Sequence, residues 1–340
     1  MAGLAAAARA RELGASVVVL EKGDRAGGSF ALSSGFVWRY RDWETFRTEC
    51  PGGDPELQRA VFERLDDALA WLEALGAPVV ERATGNPRTI GIRLDPAATV
   101  AALLARAGKV RLGEALRALP SDTPVVLATG GFQGDRDLVR RYVTPEVDHL
   151  VLRANPWSSG DGLRLALAEG AELTAGMDEF YGRNLAAATH IGPERFVDLA
   201  QLYARHATVR NAEGEKYAAR TWSEIDVVQW TARQTRARAW YSVPRDALGI
   251  RIRDRTIAEM IDAAAAAGTI VGHNGEVTVE VRAGITTTLG GIRIDAGGRA
   301  ADGLYAAGAD AGGISTGGYS SGLAAALVFG RIAAESALAR

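Results

Sequence analysis

The stretch Gly303–Arg331, GLYAAGADAGGISTGGYSSGLAAALVFGR, decides the fold. It opens with a short apolar run, Leu304-Tyr305-Ala306-Ala307, of strand length and led in by glycine. Gly308, Gly312, Gly313, Gly317, Gly318 and Gly322 then fall within 15 residues, which predicts a loop of unusually close backbone approach. From Leu323 an Ala/Leu/Val/Phe pattern at helical spacing runs to the C-terminus. A strand, a glycine-paved loop and a buried helix start would let backbone lie against a large flat ligand. The helix start adds unpaired N–H groups and a partial positive charge.

Length and composition bound what such a chain can do. With 340 residues it can bury a large core and form two domains. A net charge of −2 leaves no basic footprint for nucleic acid or an anionic membrane. Cys50 is the only cysteine, which excludes a disulfide framework, iron–sulfur ligation and c-type haem attachment. No apolar run reaches the roughly 18 residues of a membrane span, and no signal peptide stands out. A soluble cytoplasmic protein is expected. No Ser-His-Asp arrangement and no metal-ligand spacing occurs, so hydrolase and metalloenzyme chemistry find no support.

Three further segments frame the first. Ala2–Leu13 reads as an alanine-rich helix ended by Gly14, and Ser16–Leu20 as a short buried strand closed by Glu21 and Lys22. Asp24–Gly35 carries Gly27-Gly28-Ser29 and Ser33-Ser34-Gly35. Thr123–Gly134 is a buried strand entering Ala128-Thr129-Gly130-Gly131-Phe132, and Ser158-Ser159-Gly160-Asp161-Gly162 caps a helix from Leu163 to Glu169. Amphipathic helices are expected over Pro55–Leu75 and Pro96–Arg106, and another over Asp254–Ala267.

In order and spacing these segments resemble the FAD-dependent oxidoreductase 2 superfamily, the fumarate reductase/succinate dehydrogenase flavoproteins that include the 3-ketosteroid dehydrogenases. The matching C-terminal pieces are Leu289-Gly290-Gly291-Ile292 with Asp295, Gly303–Gly308, and Val328-Phe329-Gly330-Arg331. The resemblance implies an α/β fold. A Rossmann-like FAD-binding domain would span 1–176 and 283–340, with an inserted α+β capping domain at 177–282. It implies FAD held by Gly3, where the first helix meets the sheet, and by Glu21 with Lys22 at the ribose. Gly27, Gly28 and Ser29 would lie along the pyrophosphate, with Thr129, Gly130 and Gly131 near the phosphates and adenosine. Gly308, Asp310, Gly322 and Leu323 would lie on the flavin side. The alternative for Glu21 is a solvated carboxylate at a strand end. Members that attach FAD covalently place a histidine in the loop where Phe30, Ala31 and Leu32 stand here, so FAD should be non-covalent.

The sequence departs from the family pattern in two ways. The family's first strand and Gly-x-Gly precede the residues that match Met1-Ala2-Gly3, and an in-frame upstream stretch encoding them is expected. Without about five buried apolar side chains the loss is on the order of 10 kcal/mol, and FAD binding by the chain as given should be weak. The charged positions that hold dicarboxylates in fumarate reductases fall on Thr287, near Glu224, and in Gly318-Tyr319-Ser320-Ser321-Gly322. A neutral or cyclic carbonyl substrate is therefore expected, with an electron acceptor yet to be identified. Tyr319 stands where ketosteroid dehydrogenases have a tyrosine, and its hydroxyl with a backbone N–H could polarise a ketone; the alternative is packing on the flavin edge. Tyr181, Arg183 and His190 are the candidates for proton transfer in the capping domain. The expected chemistry is oxidation or reduction of a carbon–carbon bond beside a carbonyl. Carboxylate dehydrogenation by other arginines and a non-catalytic flavin-binding remnant are the alternatives.

Overall fold

The helix Ala2–Glu12 buries Ala2, Leu4, Ala5, Ala6, Ala7 and Ala8, and such small side chains let helix axes approach closely. In the computed structural model, which describes residues 1–188, 190–220, 225–269, 271–272 and 275–339, this helix packs on Gly322–Leu338 and on Pro96–Ala107. Gly330 makes the first pairing possible. A Cβ there would come within 2.6 Å of the Ala2 carbonyl oxygen. The whole C-terminal helix is apolar on most sides, and eleven of its residues, from Ala324 to Ala337, are buried. A helix apolar all round belongs in a core.

The chain divides into two units, Met1–Asp135 with Asn155–Glu179 and Thr288–Arg340, and Arg136–Ala154 with Phe180–Thr287. The first unit is α/β. Its parallel sheet comes in two pieces. Val19–Glu21 pairs in parallel with Val110–Leu112. Val125–Leu127 pairs in parallel with Leu304–Ala306, which pairs antiparallel with Arg299–Ala301. The helix Ala2–Glu12 touches both pieces, but no described strand joins them. Val18 and Leu20 are accordingly 63% and 37% exposed. A separate antiparallel sheet of Phe36–Tyr40, Thr89–Leu94 and Val79–Glu81 completes the unit. Its long helix Pro55–Ala74 starts cleanly because Asp54 accepts from the Glu56 and Leu57 amides and proline takes the first turn.

The second unit is α+β, built on the long strand Glu276–Thr288. Arg238–Pro244 pairs antiparallel with it and carries Thr208–Arg210 on its other edge. Val151–Leu152 adds in parallel at the far end, and Phe180–Ala186 also pairs with the long strand. Tyr203, Tyr241, Val279, Val281, Ile257 and Met260 form its core with the helix Ile257–Ala266. A buried amide organises that core: Asn184 donates to Thr231 Oγ1 at 2.9 Å and to the Tyr241 hydroxyl at 2.8 Å. None of the described helices is long and apolar enough to cross a membrane.

Candidate functional site

The glycine loop of the first unit is held by backbone on both sides. The Asp54 amide donates to the Gly313 carbonyl at 2.7 Å and the Gly52 amide to the Thr316 carbonyl at 3.1 Å. The Gly313 amide donates to the Leu289 carbonyl at 3.2 Å, and the Gly317 amide donates to Glu179 Oε2 at 2.6 Å. Side chains cannot enter here, since a Cβ at Gly318 would fall on the Glu49 carbonyl. Gln58 is fully buried and donates to the Cys50 carbonyl and the Ile314 carbonyl, each at 2.9 Å.

Tyr319 is pinned at the end of this loop. Its carbonyl accepts from the Tyr40 hydroxyl at 2.7 Å, and its half-buried ring stands edge-on to Trp38, centroids 5.8 Å apart. Two residues on, Ser321 caps the C-terminal helix by accepting from the Ala324 amide at 3.3 Å. Gly322 is exposed, with nothing within 4 Å of where a Cβ would sit. Leu323 follows, half-buried, in the same first turn. The start of this 17-residue helix is thus exposed at Gly322, and a helix start attracts negative charge.

Asp310 lies beneath, 2% exposed. Its carboxylate accepts from the Thr129 amide, from Thr129 Oγ1 at 2.9 Å and from the Gly131 amide at 3.1 Å. Burial raises this carboxyl above its usual range, against the pull of the turn's amide donors. The Thr129–Gly131 turn and Asp310 therefore bind each other. Gly130 and Gly131 have φ of +95° and +82°, a conformation that suits glycine. Gly308 precedes Asp310 at φ +70°, and a Cβ there would meet the Ala2 side chain at 3.1 Å. Gly3 meets Ala128 in the same way at 3.3 Å.

At the end of the strand Val19–Glu21, Glu21 Oε1 accepts from the Gly23 amide at 2.7 Å. The Lys22 ammonium is bound by Ser159 Oγ and Asp161 Oδ2. Gly27 and Gly28 turn the following loop with φ of +110° and +55°, and Ser29 Oγ accepts from the Asn155 amide at 3.3 Å.

Tyr181, Arg183 and His190 belong to the second unit. Burial alternates along Phe180–Ala186, where Phe180, Gly182 and Asn184 are buried and Tyr181 and Arg183 half-buried. A strand's period of two puts Tyr181 and Arg183 on one face. The Arg183 guanidinium lies 5.2 Å from the Tyr181 ring centre. Burial raises the Tyr181 phenol, but the guanidiniums of Arg183, Arg153 and Arg253 outweigh it and bring it down to about 8. Arg153 is placed by donating to Thr286 Oγ1 at 3.0 Å. Arg253 sits in the hairpin turn between Arg251–Ile252 and Arg255–Thr256 with φ +58°, a costly conformation for a residue with a side chain. His190 is exposed beyond the strand's end and does not share this face. Glu224 lies outside the described residues.

Sequence reasoning missed Tyr40, Gln58, Glu179, Arg153 and Arg253. Only Gln58 left a signal, as a polar residue on the apolar face that holds Leu57 and Val61. Cys50 is buried, and burial pushes its thiol up to about 12, which disfavours the thiolate. Among the described residues no cluster of three His, Cys, Asp or Glu could hold a metal ion.

The residues fit FAD on observed grounds. A strand-end acid at Glu21, a left-handed glycine pair at Gly27-Gly28 and an uncovered helix start at Gly322 all lie in one unit. A carboxylate can accept hydrogen bonds from sugar hydroxyls, a left-handed glycine pair can bring backbone amides close to phosphates, and a helix start favours negative charge.

Comparisons with known proteins agree. A family model described as an FAD binding domain matches residues 1–118 and 105–323. No curated protein sequence matches. Among solved structures, the open conformation of a flavocytochrome c3 fumarate reductase is similar with a TM-score of 0.72 at 20% identity, over 99% of this chain and 76% of that one. A 3-ketosteroid-Δ4-(5α)-dehydrogenase from Rhodococcus jostii RHA1 also gives 0.72 at 19% identity, over 100% of this chain and 95% of that one. A 3-ketosteroid Δ1-dehydrogenase from Sterolibacterium denitrificans gives 0.69 at 17%, over 99% and 97%. These identities speak to the fold.

Proposed function

Because this chain belongs to the FAD binding domain family, we propose that it is an FAD-dependent oxidoreductase acting on a carbon–carbon bond beside a carbonyl. The observation that carries this reading is that Glu21, the Gly27–Ser29 loop and the exposed start at Gly322 all belong to one unit. FAD, when bound, supplies the two-electron chemistry. What remains for the chain is to polarise the carbonyl, take or give a proton at the neighbouring carbon, and hold the cofactor.

Tyr319 is assigned to the carbonyl. Its main chain is fixed by Tyr40 and its ring by Trp38, so the phenol is positioned without relying on the stiffness of a glycine loop. A phenol donating to a carbonyl oxygen stabilises the enolate that forms when the adjacent proton leaves. Tyr181, in the second unit, is assigned to proton transfer. Lowered to about 8, it exists partly as phenolate near neutral pH, which is what a general base needs.

This assignment makes a pH prediction. Turnover in the oxidative direction should rise with pH through about 8 and level off above it. Arg183→Gln removes a charge that favours the phenolate, so the midpoint should move up by on the order of half a unit or more. A midpoint that stays put in Arg183→Gln takes Tyr181 out of the proton path.

Glu21 is assigned to the ribose hydroxyls. Glu21→Ala should weaken FAD binding by about 1.5–3 kcal/mol, the range for a hydrogen bond to a charged group. An unchanged FAD affinity by titration returns Glu21 to a solvated strand end.

The replacement of fumarate reductase charges at Thr287 and in the Tyr319 turn favours a neutral or cyclic substrate. The three guanidiniums around Tyr181 favour a second reading, dehydrogenation of a carboxylate. Anaerobic mixing of the FAD-loaded protein with saturated cyclic ketones and with saturated mono- and dicarboxylates separates the two. Bleaching by ketones alone supports the first reading, and bleaching by carboxylates alone replaces it with the second.

A further inference from the structure

Beside the Gly27–Ser29 loop lies a small pocket lined by Arg25, Gly28, Leu32, Asn155 and Trp157. The assignments above use neither Arg25 nor Trp157. Trp157 lies flat against the chain just past Glu21: a Cβ at Gly23 would come within 2.5 Å of the indole, so glycine at 23 makes room for the ring. The indole is fixed from its own backbone as well. The Trp157 amide donates to Asn155 Oδ1 at 2.7 Å, and Asn155, 7% exposed, donates its amide to Ser29 Oγ at 3.3 Å. One short network therefore ties the indole to the phosphate-accommodating loop.

The Arg25 guanidinium sits 5.3 Å from the Trp157 ring centre. Its carboxylate neighbour is Asp24 at 3.7 Å, with both side chains well exposed, and such a pair is worth little. Lys22, the other nearby cation, is engaged by Ser159 and Asp161. Arg25 is thus the cation that lines the pocket itself. An aromatic surface holds a guanidinium in a preferred orientation through cation–π attraction. A guanidinium so held presents paired N–H donors, which match two oxygens of a phosphate.

We propose that Arg25, positioned by Trp157, binds a phosphate oxygen of the ADP half of FAD. This rests on the FAD reading above. Trp157 acts through Arg25 as a positioning residue, and the left-handed turn at Gly27-Gly28 sits two residues beyond Arg25.

The test is calorimetric titration of the full chain, freed of flavin, with ADP and with adenosine. Arg25→Gln should weaken ADP binding about tenfold or more and leave adenosine binding unchanged. Arg25→Lys should recover part of the loss, and Trp157→Phe should lower ADP affinity by a smaller factor. The dependence of ADP affinity on salt should flatten in Arg25→Gln. Equal ADP affinity in Arg25→Gln and the parent overturns the proposal, and so does an equal loss for adenosine, which would mark a structural role. A parent chain that takes up FAD while Arg25→Gln binds it as tightly sinks only this assignment. A parent chain that takes up neither FAD nor ADP sinks the FAD reading, and this assignment with it.

Discussion

Tyr319→Phe should lower turnover about 100-fold or more, by analogy with losing one oxyanion donor, while FAD content and melting temperature stay level. The substitution keeps the ring edge on Trp38. It also keeps the backbone carbonyl that accepts from the Tyr40 hydroxyl, because on the Tyr319 side that bond uses the main chain only. Packing and loop position are therefore retained, and only the phenolic O–H is removed. A drop of this size is about 2.7 kcal/mol of transition-state stabilisation, more than a half-buried ring contact would explain. Steady-state assays with a dye acceptor read it directly. Normal turnover in the Phe variant makes Tyr319 a packing residue. Loss of FAD instead assigns its hydroxyl to the cofactor.

The second large effect is on stability. Asp310→Ala should cost about 3–5 kcal/mol by urea denaturation, because it strips partners from several buried donors at once. The Thr129 amide, Thr129 Oγ1 and the Gly131 amide all point at this carboxylate, and water has little access to a residue 2% exposed. The Thr129–Gly131 turn also contains two glycines at positive φ, and its carbonyls are held separately, Gly130 by the Gln133 side-chain amide at 2.9 Å and Gly131 by the Gly160 amide at 3.0 Å. A domain stabilised by roughly 5–15 kcal/mol would lose a large share. Asp310→Asn keeps an acceptor and should cost roughly half as much. A loss below about 1 kcal/mol for Asp310→Ala would show that the turn does not depend on this carboxylate.

What was legible in the sequence was local. The glycines at 27, 28, 130, 131 and 308 mark left-handed backbone that favours glycine, so their positions could be read directly. Helix boundaries were less so. The helix expected from Asp254 starts at Ile257, because Arg251–Thr256 forms a hairpin and Thr256 with Glu259 makes a capping box. The helix expected from Leu163 starts at Asp161, after Gly160 turns the chain at φ +77°. The strand expected over Ser16–Leu20 is Val19–Glu21, since its length is set by its partner Val110–Leu112. Long-range partners left no trace. Tyr40 reaches across 279 residues to Tyr319, and Gly317 across 138 to Glu179. Arg153, Arg183 and Arg253 come to Tyr181 from three separate segments, so their joint effect on its proton exists only in the folded chain.

The central claim is tested most directly by the absorption spectrum of the FAD-loaded chain under anaerobic conditions. The protein should be yellow, should release all its flavin to the supernatant on acid denaturation, and should bleach when a saturated carbonyl compound is added. Flavin that bleaches with dithionite but with no saturated ketone or carboxylate would contradict the proposed chemistry, and a chain that takes up no FAD would contradict the account at its root.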